Sequence, residues 1–281
     1  MKMIVNSGGF RLVSFDSGKL GPTVCVVGGV HGDETCGLNA IEVLERELAV
    51  GGRLLRGRLL TLVANLKAIR LTRRFVDFDL NRAFGKSDAF GHESQLAKDL
   101  ASYLIEMDYI LDLHSTSAPT RPFCAGALTN RHLEMFWMTG LEIYTHGWEV
   151  HRGHTMLIDE VNRLGGVGVI AECGRTGARE TDEIAYSTTI HLLQELKMLA
   201  PVKLQPTASH RIVRIEQIIR ANSDRFSFTR HFENFDPVKA FEVVAYDDGE
   251  PVTYHLPFAI AMPTQGKLQV GDEAFGVGII E

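Results

Sequence analysis

Ionisable residues stand at the ends of several short apolar segments of this sequence. His31 and Glu34 follow the apolar segment 23–28, His114 follows 109–113, and Glu172 ends 167–171. In open α/β sheets, ligands bind in the crevice at the carboxyl ends of the strands. If these segments are neighbouring parallel strands, the sheet brings their ionisable residues to one edge.

Two histidines and one carboxylate, with a fourth position left open, form a common catalytic zinc set. His31 and Glu34 are three residues apart at a strand-to-helix turn, and His114 would join them from a neighbouring strand end. The sequence leaves a second interpretation open, in which Glu34 only favours a helix N-terminus and His114 is a buried core histidine. The coincidence at one sheet edge favours the metal site.

Glu172 lies in an otherwise apolar stretch, where an unpaired carboxylate would be costly to bury. It could serve as a general base that activates a zinc-bound water. An ion pair with Arg175 or with another arginine is the alternative.

The segment Asp79-Leu80-Asn81-Arg82 offers an amide and a guanidinium close together. Such a pair could hold a substrate carboxylate in a fork. The alternative is a surface loop with internal Asp–Arg pairs.

The order of predicted elements favours an α/β fold with a mixed, mostly parallel sheet flanked by helices. Apolar segments predict strands, and 3.6-residue periodicity predicts helices between them. The strands are 23–28, 57–65, 109–113 and 167–171, and the helices are 37–48, 93–105 and 181–199.

The composition of the sequence changes near Pro201, after which prolines separate short segments rich in β-forming residues. We expect a catalytic α/β domain over residues 1–200 and a small β-rich C-terminal domain over 201–281. Its expected strands include 210–215, 241–245, 258–262 and 276–280, although 211–220 could also be helical.

The composition is that of a globular protein, with 45% hydrophobic and 23% charged residues. The 29 basic and 35 acidic residues give a net charge of −6, which argues against a nucleic-acid partner. No apolar run of membrane-spanning length is present and residues 1–10 lack the apolar core of a signal peptide, so we expect neither a transmembrane helix nor a signal peptide. The four cysteines form no CxxC pair, so neither a zinc ribbon nor a disulfide scaffold is indicated. Together these features lead us to expect a cytoplasmic protein without a membrane partner.

Four segments together resemble the succinylglutamate desuccinylase/aspartoacylase family of the zinc carboxypeptidase superfamily. They are GGVHGDETCG (28–37), TRRFVDFDLNRAF (72–84), LDLHST (111–116) and IAECG (170–174). The resemblance covers residues 28–174 and extends to the expected C-terminal β domain, so it also implies a zinc carboxypeptidase-like fold.

The resemblance implies a role for each matching residue. His31, Glu34 and His114 would bind one Zn²⁺ per chain, and Glu172 would be the general base. Arg74 would stabilise the oxyanion, Asn81 and Arg82 would hold the α-carboxylate of the substrate, and Arg163 would hold a side-chain carboxylate.

The expected activity is zinc-dependent hydrolysis of a small N-acyl amino acid that carries one or more carboxylates. A zinc carboxypeptidase acting on peptides and a catalytically inactive binding protein of the same fold remain alternatives. A homo-oligomer is possible. A second histidine cluster, His146, His151 and His154, could be another metal site but fits polar loop residues better.

Overall fold

The structure is a computed structural model, and it describes residues 2–51, 54–86, 90–153, 155–201 and 209–281, apart from the side chains of Lys2 and Asn6. Fifteen strands and seven α-helices lie in these ranges. The strands are β1 (Lys2–Asn6), β2 (Arg11–Asp16), β3 (Thr23–Gly28), β4 (Arg58–Val63), β5 (Tyr109–Thr116), β6 (Phe123–Ala125), β7 (Ile143–His146), β8 (Val167–Arg175), β9 (Arg211–Arg220), β10 (Ser227–Phe228), β11 (Pro237–Val238), β12 (Ala245–Asp247), β13 (Glu250–Val252), β14 (Phe258–Ala261) and β15 (Glu273–Ile280). The helices are α1 (Cys36–Ala49), α2 (Leu66–Leu71), α3 (His92–Leu104), α4 (Asn130–Thr139), α5 (Trp148–Arg152), α6 (Leu157–Arg163) and α7 (Arg179–Glu195), with a 3₁₀ turn at Leu80–Arg82.

The four strands predicted in the N-terminal part form the parallel centre of one mixed sheet. Twelve strands join in the order β1-β2-β4-β3-β5-β8-β6-β7-β9-β15-β14-β11. The pairs β4–β3, β3–β5 and β5–β8 are parallel, whereas β2 and β6 flank this group as antiparallel neighbours. The expected α/β class with a mixed sheet and flanking helices is confirmed.

The order in which the chain adds strands to the sheet changes direction at β3. It passes from β3 through α1 to β4 on one side, and later enters β5 on the other side. Such a switch point opens a crevice at the carboxyl end of the strand, where α/β folds bind ligands. His31 follows β3 directly, so the topology places it at that crevice.

Two of the central strands continue beyond their predicted ends. β5 reaches Thr116 instead of residue 113, and β8 reaches Arg175 instead of residue 171. The apolar pattern stops earlier, but the backbone pairing continues through His114 opposite Glu172 and Thr116 opposite Arg175. His114 and Glu172 are therefore fixed by a hydrogen-bonded ladder and not by a loop.

The C-terminal segment extends the same sheet. β9 pairs in parallel with β7 and antiparallel with β15, so the segment 211–220 is a strand and its helical alternative is wrong. Three short strands form a separate sheet in the order β10-β12-β13. The expected strand 241–245 is also wrong, because Phe241 has a φ of 60° and extended structure begins only at Ala245. The division at residue 200 stays a prediction.

Helices on the sheet are amphipathic and bury their apolar faces. Leu96, Leu100 and Leu104 of α3 are buried, and α7 packs Leu192 and Leu193 against the other side. Within the described ranges, none of the helices combines the length and apolarity that a membrane crossing requires. The cytoplasmic location stays a prediction.

Candidate active site

The turn after β3 is built by a close approach of two backbone segments. A Cβ on Gly28 would lie 2.6 Å from the carbonyl carbon of Gly37, and a Cβ on Gly37 would lie 2.8 Å from the Cα of Gly28. Only glycines allow this distance between the strand end and the first turn of α1. The close contact aims His31 and Glu34, which lie between them, into the crevice.

His31, Glu34 and His114 are buried and converge on one point. Their ligand atoms lie within 4.8 Å of one another. The Nδ1 atoms of the two histidines are 3.2 Å apart, and both face Glu34, at 2.8 Å from its Oε1 and 3.0 Å from its Oε2. Two nitrogen ligands of a tetrahedral zinc ion lie about 3.3 Å apart, so this donor set fits zinc in type and spacing.

The far nitrogens of both imidazoles face carboxylates. Asp79 Oδ1 lies 3.0 Å from His31 Nε2, and Asp112 Oδ2 lies 3.0 Å from His114 Nε2. Metal-binding histidines commonly contact a carboxylate with their second nitrogen, which fixes the ring and its tautomer. Neither Asp79 nor Asp112 is a predicted site residue, although each lies within two residues of one.

The charges of these groups shift one another's pKa. Burial alone would lower the pKa of His31 and of His114, but carboxylate neighbours outweigh it and raise both. For His31 these neighbours are Glu34 and Asp79, and for His114 they are Asp112 and Glu34. Burial would raise the pKa of Glu34, yet the two histidines hold it well below its usual range.

Glu172 lies on the strand beside His114, directly opposite it in the β5–β8 register. Its Oε2 atom is buried and has no hydrogen-bond partner among the described residues. Burial raises the pKa of this carboxyl to about 7, and Glu34 contributes in the same direction while His114, His31 and Arg74 oppose it. The group therefore has the pKa of a general base that works near neutral pH. No bond to Arg175 accounts for it in the described part of the chain.

Arg74 and Asp79 connect the segment 72–84 to the histidines. Arg74 donates from Nη1 to Glu34 at 3.1 Å and from Nη2 to Asp79 at 3.2 Å. Asp79 also accepts the backbone N–H of Asn81 at 2.8 Å. A single carboxylate thus orients His31, Arg74 and the turn that carries Asn81.

A cavity of about 490 Å³ lies over this cluster, with His31, Glu34, Glu172, Arg74 and Arg82 in its wall. Arg152 lines it as well and was missed, because its five-residue helix has no clear periodicity in the sequence. The C-terminal segment supplies one side of the wall. Its contributing residues include His231, Phe232, Asn234, Met262, Gln265 and Glu273.

Two expected substrate-binding residues lie elsewhere. Asn81 is buried beneath the cavity, and its amide oxygen accepts the backbone N–H of Leu157 at 3.1 Å. Arg163 is exposed on α6 and donates to Glu160 at 2.6 and 2.9 Å. Among the described residues, Arg163 lines neither this cavity nor a smaller cavity beside it. Its role in substrate binding stays a prediction, and its position does not support that role.

The second histidine cluster does not converge on one point. His146 Nε2 faces Glu281 at 3.2 Å, whereas His151 Nε2 faces the carbonyl oxygen of Ile215 at 3.3 Å. His154 lies outside the described residues. The set of His31, Glu34 and His114 is the one metal-competent group found in the part of the chain that the structure describes.

Comparison with known proteins gives relatives of one family. Curated relatives are named succinylglutamate desuccinylase. The one from Burkholderia pseudomallei (strain 1710b) is 40% identical over 93 residues, which are 33% of this chain and 25% of the relative. The one from Burkholderia cenocepacia is 45% identical over 62 residues, which are 22% of this chain and 18% of the relative. The match spans a quarter or less of these relatives.

Solved structures match over nearly the whole chain. A succinylglutamate desuccinylase/aspartoacylase from Rhodobacter sphaeroides has a TM-score of 0.78 at 21% identity, covering 96% of this chain and 88% of the other. The ectoine utilization protein EutE (DoeB) from Ruegeria pomeroyi has a TM-score of 0.77 at 19% identity, with the same coverage. At these identities the likeness shows a shared fold.

The family model for the succinylglutamate desuccinylase/aspartoacylase catalytic domain matches residues 20–195. This range contains all four motif segments and every predicted site residue. The chain therefore belongs to the succinylglutamate desuccinylase/aspartoacylase family.

Proposed function

We propose that this protein is a zinc-dependent amidohydrolase that cleaves the amide bond of a small N-acyl amino acid. The products are a carboxylic acid and the free amino acid. The observation that carries the proposal is the convergence of His31, Glu34 and His114 beside Glu172. This donor set leaves room for a substrate, and the neighbouring carboxyl has the burial that a general base needs.

Zinc would be held by His31, Glu34 and His114. When bound, it would polarise the scissile carbonyl and lower the pKa of a water molecule. Asp79 and Asp112 occupy the Nε2 side of the two imidazoles, which directs both Nδ1 atoms toward the ion. The depressed pKa of Glu34 keeps its carboxylate ionised and ready to bind a cation.

Glu172 is proposed to move the proton. Its carboxylate takes a proton from the attacking water and later gives it to the nitrogen of the departing amino acid. Burial raises the pKa of Glu172 to about 7 in the metal-free protein, and the charge of a bound zinc ion would act in the opposite direction and favour the carboxylate that accepts the proton. The unpartnered Oε2 atom is free to make this contact.

Arg74 and Arg82 are proposed to handle the negative charges of the substrate. Arg74 is half-exposed toward the cavity and would donate to the oxygen of the scissile carbonyl as charge develops there. Arg82 lines the same cavity, and its Nη1 donates to the carbonyl oxygen of Asn81 at 2.7 Å. We assign the α-carboxylate to Arg82 and a positioning role to Asn81.

The shape of the cavity favours small substrates over peptides. Residues of the C-terminal segment form part of the cavity wall and narrow the space that an extended chain would need. This observation ranks the carboxypeptidase alternative below the deacylase. The intact set of donors likewise ranks the inactive binding protein lower.

The decisive experiment is a hydrolysis panel of N-acetyl and N-succinyl amino acids, measured with zinc and with a chelator. We expect zinc-dependent release of the free amino acid and no cleavage of longer peptides. Metal analysis of the purified protein tests the binding-protein alternative. A protein that binds no zinc and cleaves no acylated amino acid would refute the proposal.

A further inference from the structure

A second, smaller cavity opens beside the active-site cavity and shares part of its wall. This side chamber has a volume of about 60 Å³. Arg152, Glu172 and Met262 line both spaces, so the chamber opens directly at the proposed general base. A substrate group that enters it would therefore lie close to the reacting bond.

Two neighbouring strands form the floor of the side chamber. β6 and β8 are antiparallel, with Phe123 opposite Glu172 and Ala125 opposite Ile170. Residues two apart on a strand share one face of the sheet. The apolar side chains of Phe123, Ala125 and Ile170 therefore continue directly from Glu172 on the same face.

The helical side of the chamber is also apolar toward its interior. Trp148 donates its indole N–H to Thr145 Oγ1 at 2.9 Å, which leaves the ring to form part of the wall. Ile158 and Met156 complete this side, and both are buried. A charged substrate group that enters the chamber would lose water against the apolar side chains of these two walls, which is unfavourable.

Arg152 lines both spaces, shares the carboxylate of Glu273 with Arg220, and has a buried Nε with no hydrogen-bond partner among the described residues. Its guanidinium lies 4.5 Å above the Trp148 ring and forms an ion pair with Glu273. The other ionisable lining residues are Glu149, Asp159 and Glu172. A substrate carboxylate inside the chamber would lose water and face these acidic groups, which is unfavourable.

The arginines indicate which part of the substrate enters. Arg82 and Arg152 line the same cavity, and the charge of Arg152 adds to the effect of burial in lowering the pKa of Arg82. An α-carboxylate bound to Arg82 would place the adjacent Cα near the mouth that Arg152 and Glu172 share. The amino-acid side chain on that Cα then points into the chamber.

We infer that the side chamber binds the side chain of the released amino acid and selects one that is uncharged and largely apolar. The inference rests on the proposed amidohydrolase function. This substrate differs from the one expected from the sequence, whose acidic side chain Arg163 would have bound.

The test is a series of N-acetyl amino acids that share the acyl group and differ in the side chain: glycine, leucine, glutamate and lysine. With zinc present, we expect kcat/KM for the leucine substrate to exceed that for glycine by at least about 100-fold, which is the effect of only two buried methylenes at roughly tenfold each. Faster hydrolysis of the glutamate or lysine substrate, or equal rates for glycine and leucine, would overturn the inference.

Two variants and a control locate the selection. Ala125→Leu fills the chamber and should remove most of the preference for leucine over glycine. Met262→Ala enlarges the mouth and should shift the preference toward N-acetyl-phenylalanine, which keeps the test valid if the first variant does not fold. Ala240→Leu, at an exposed position, should leave the preference unchanged. Unaltered preferences in both chamber variants would refute the assignment.

Calorimetric binding of the free amino acids separates this inference from the proposed function. Leucine should bind more tightly than glycine or glutamate to the zinc-loaded protein. If no substrate is hydrolysed but leucine is still preferred, the proposed function fails and the chamber assignment stands. If hydrolysis occurs but glutamate binds best, the chamber assignment fails alone.

Discussion

Replacing Glu93 by glutamine is expected to loosen the segment that carries Arg74 and Arg82. The carboxylate of Glu93 is fully buried on α3. Its Oε1 accepts the N–H of Val76 at 2.7 Å and the side-chain N–H of Asn65 at 3.1 Å. Its Oε2 accepts the N–H groups of Asp77 at 3.0 Å and Phe78 at 3.4 Å. The sequence analysis did not single out this residue.

The magnitude follows from the donors that glutamine cannot satisfy. Each carboxylate oxygen of Glu93 accepts two N–H groups, and the glutamine side chain keeps only one acceptor oxygen. Two of the four N–H groups would therefore face the NH₂ group of glutamine and lose a charged acceptor. At about 1.5 kcal/mol or more for each such bond, the loss in the free energy of unfolding is about 3 kcal/mol. For a protein of this size that corresponds to a fall in Tm of roughly 6–12 °C.

The assay is urea unfolding together with kcat/KM on the best substrate of the panel. We expect activity to fall by on the order of tenfold, because displaced arginines no longer meet the substrate. Glu106→Gln is the matched control, since its exposed ion pair with Arg58 should contribute less than about 1 kcal/mol. Equal unfolding midpoints for Glu93→Gln and the wild type would refute the reasoning.

The pH dependence of the same comparison gives a second check. Burial would raise the pKa of Glu93, but the N–H donors of Val76, Asp77 and Asn65 outweigh it and lower the pKa. Its carboxylate therefore stabilises the fold above the unfolded pKa of about 4.3, and that stability is lost as pH falls through the lower folded pKa. The difference between wild type and variant should be constant between about pH 6 and pH 8 and should shrink below about pH 4.

Four further outcomes are expected. Glu172→Gln should bind zinc but lose roughly 10²- to 10⁴-fold in kcat, as measured by metal analysis and turnover. His114→Ala should lose the metal in the same analysis, and retained stoichiometric zinc would contradict its assignment. Zinc affinity should rise with pH in a chelator competition assay, because the raised pKa values of His31 and His114 make protons compete with the ion. Arg163→Gln should change kcat/KM by less than about twofold, because the side chain is exposed and bonded to Glu160; a large loss would restore its predicted role.

The zinc-binding set could be proposed from sequence because each of its residues follows a segment with a clear strand pattern. His31, His114 and Glu172 needed only the rule that parallel strands end at one edge. Asp79 and Glu93 could not be assigned in this way, because their roles depend on where a long irregular segment folds back. Spacing alone offered no means of finding these contacts.

The arginines show a similar limit. The family resemblance implied that Arg163 holds a substrate carboxylate, but the helix face decides where its side chain points. On α6 its neighbour three residues earlier is Glu160, and the pair meets on the exposed side of the helix. Arg152 instead reaches the cavity from a helix of five residues, which is too short to produce a recognisable period.

In the C-terminal segment, local pattern could not decide between helix and strand. Apolar residues at 212, 213, 215, 218 and 219 fit either a helix face or a strand that is buried in part. The pairing with β7 and β15 decides for the strand, and such pairing depends on residues far away in the sequence. The short strand that begins at Ala245 is fixed in the same way by β10 and β13.

The strand pairing from β7 through β9 to β15, which contains two register shifts in β15, has a mechanical consequence for the active site. The C-terminal segment is joined to the central sheet by the backbone hydrogen bonds of β9. Moving this segment as a unit would therefore break those hydrogen bonds. Met262 directly follows β14 and Glu273 begins β15, so the pairing of these strands fixes these two residues of the wall relative to the central sheet. The same strand pairing makes residues 1–200 a poor fragment to express alone. Removing β9 would leave β7 as an unpaired edge strand, and such strands pair between copies of a protein.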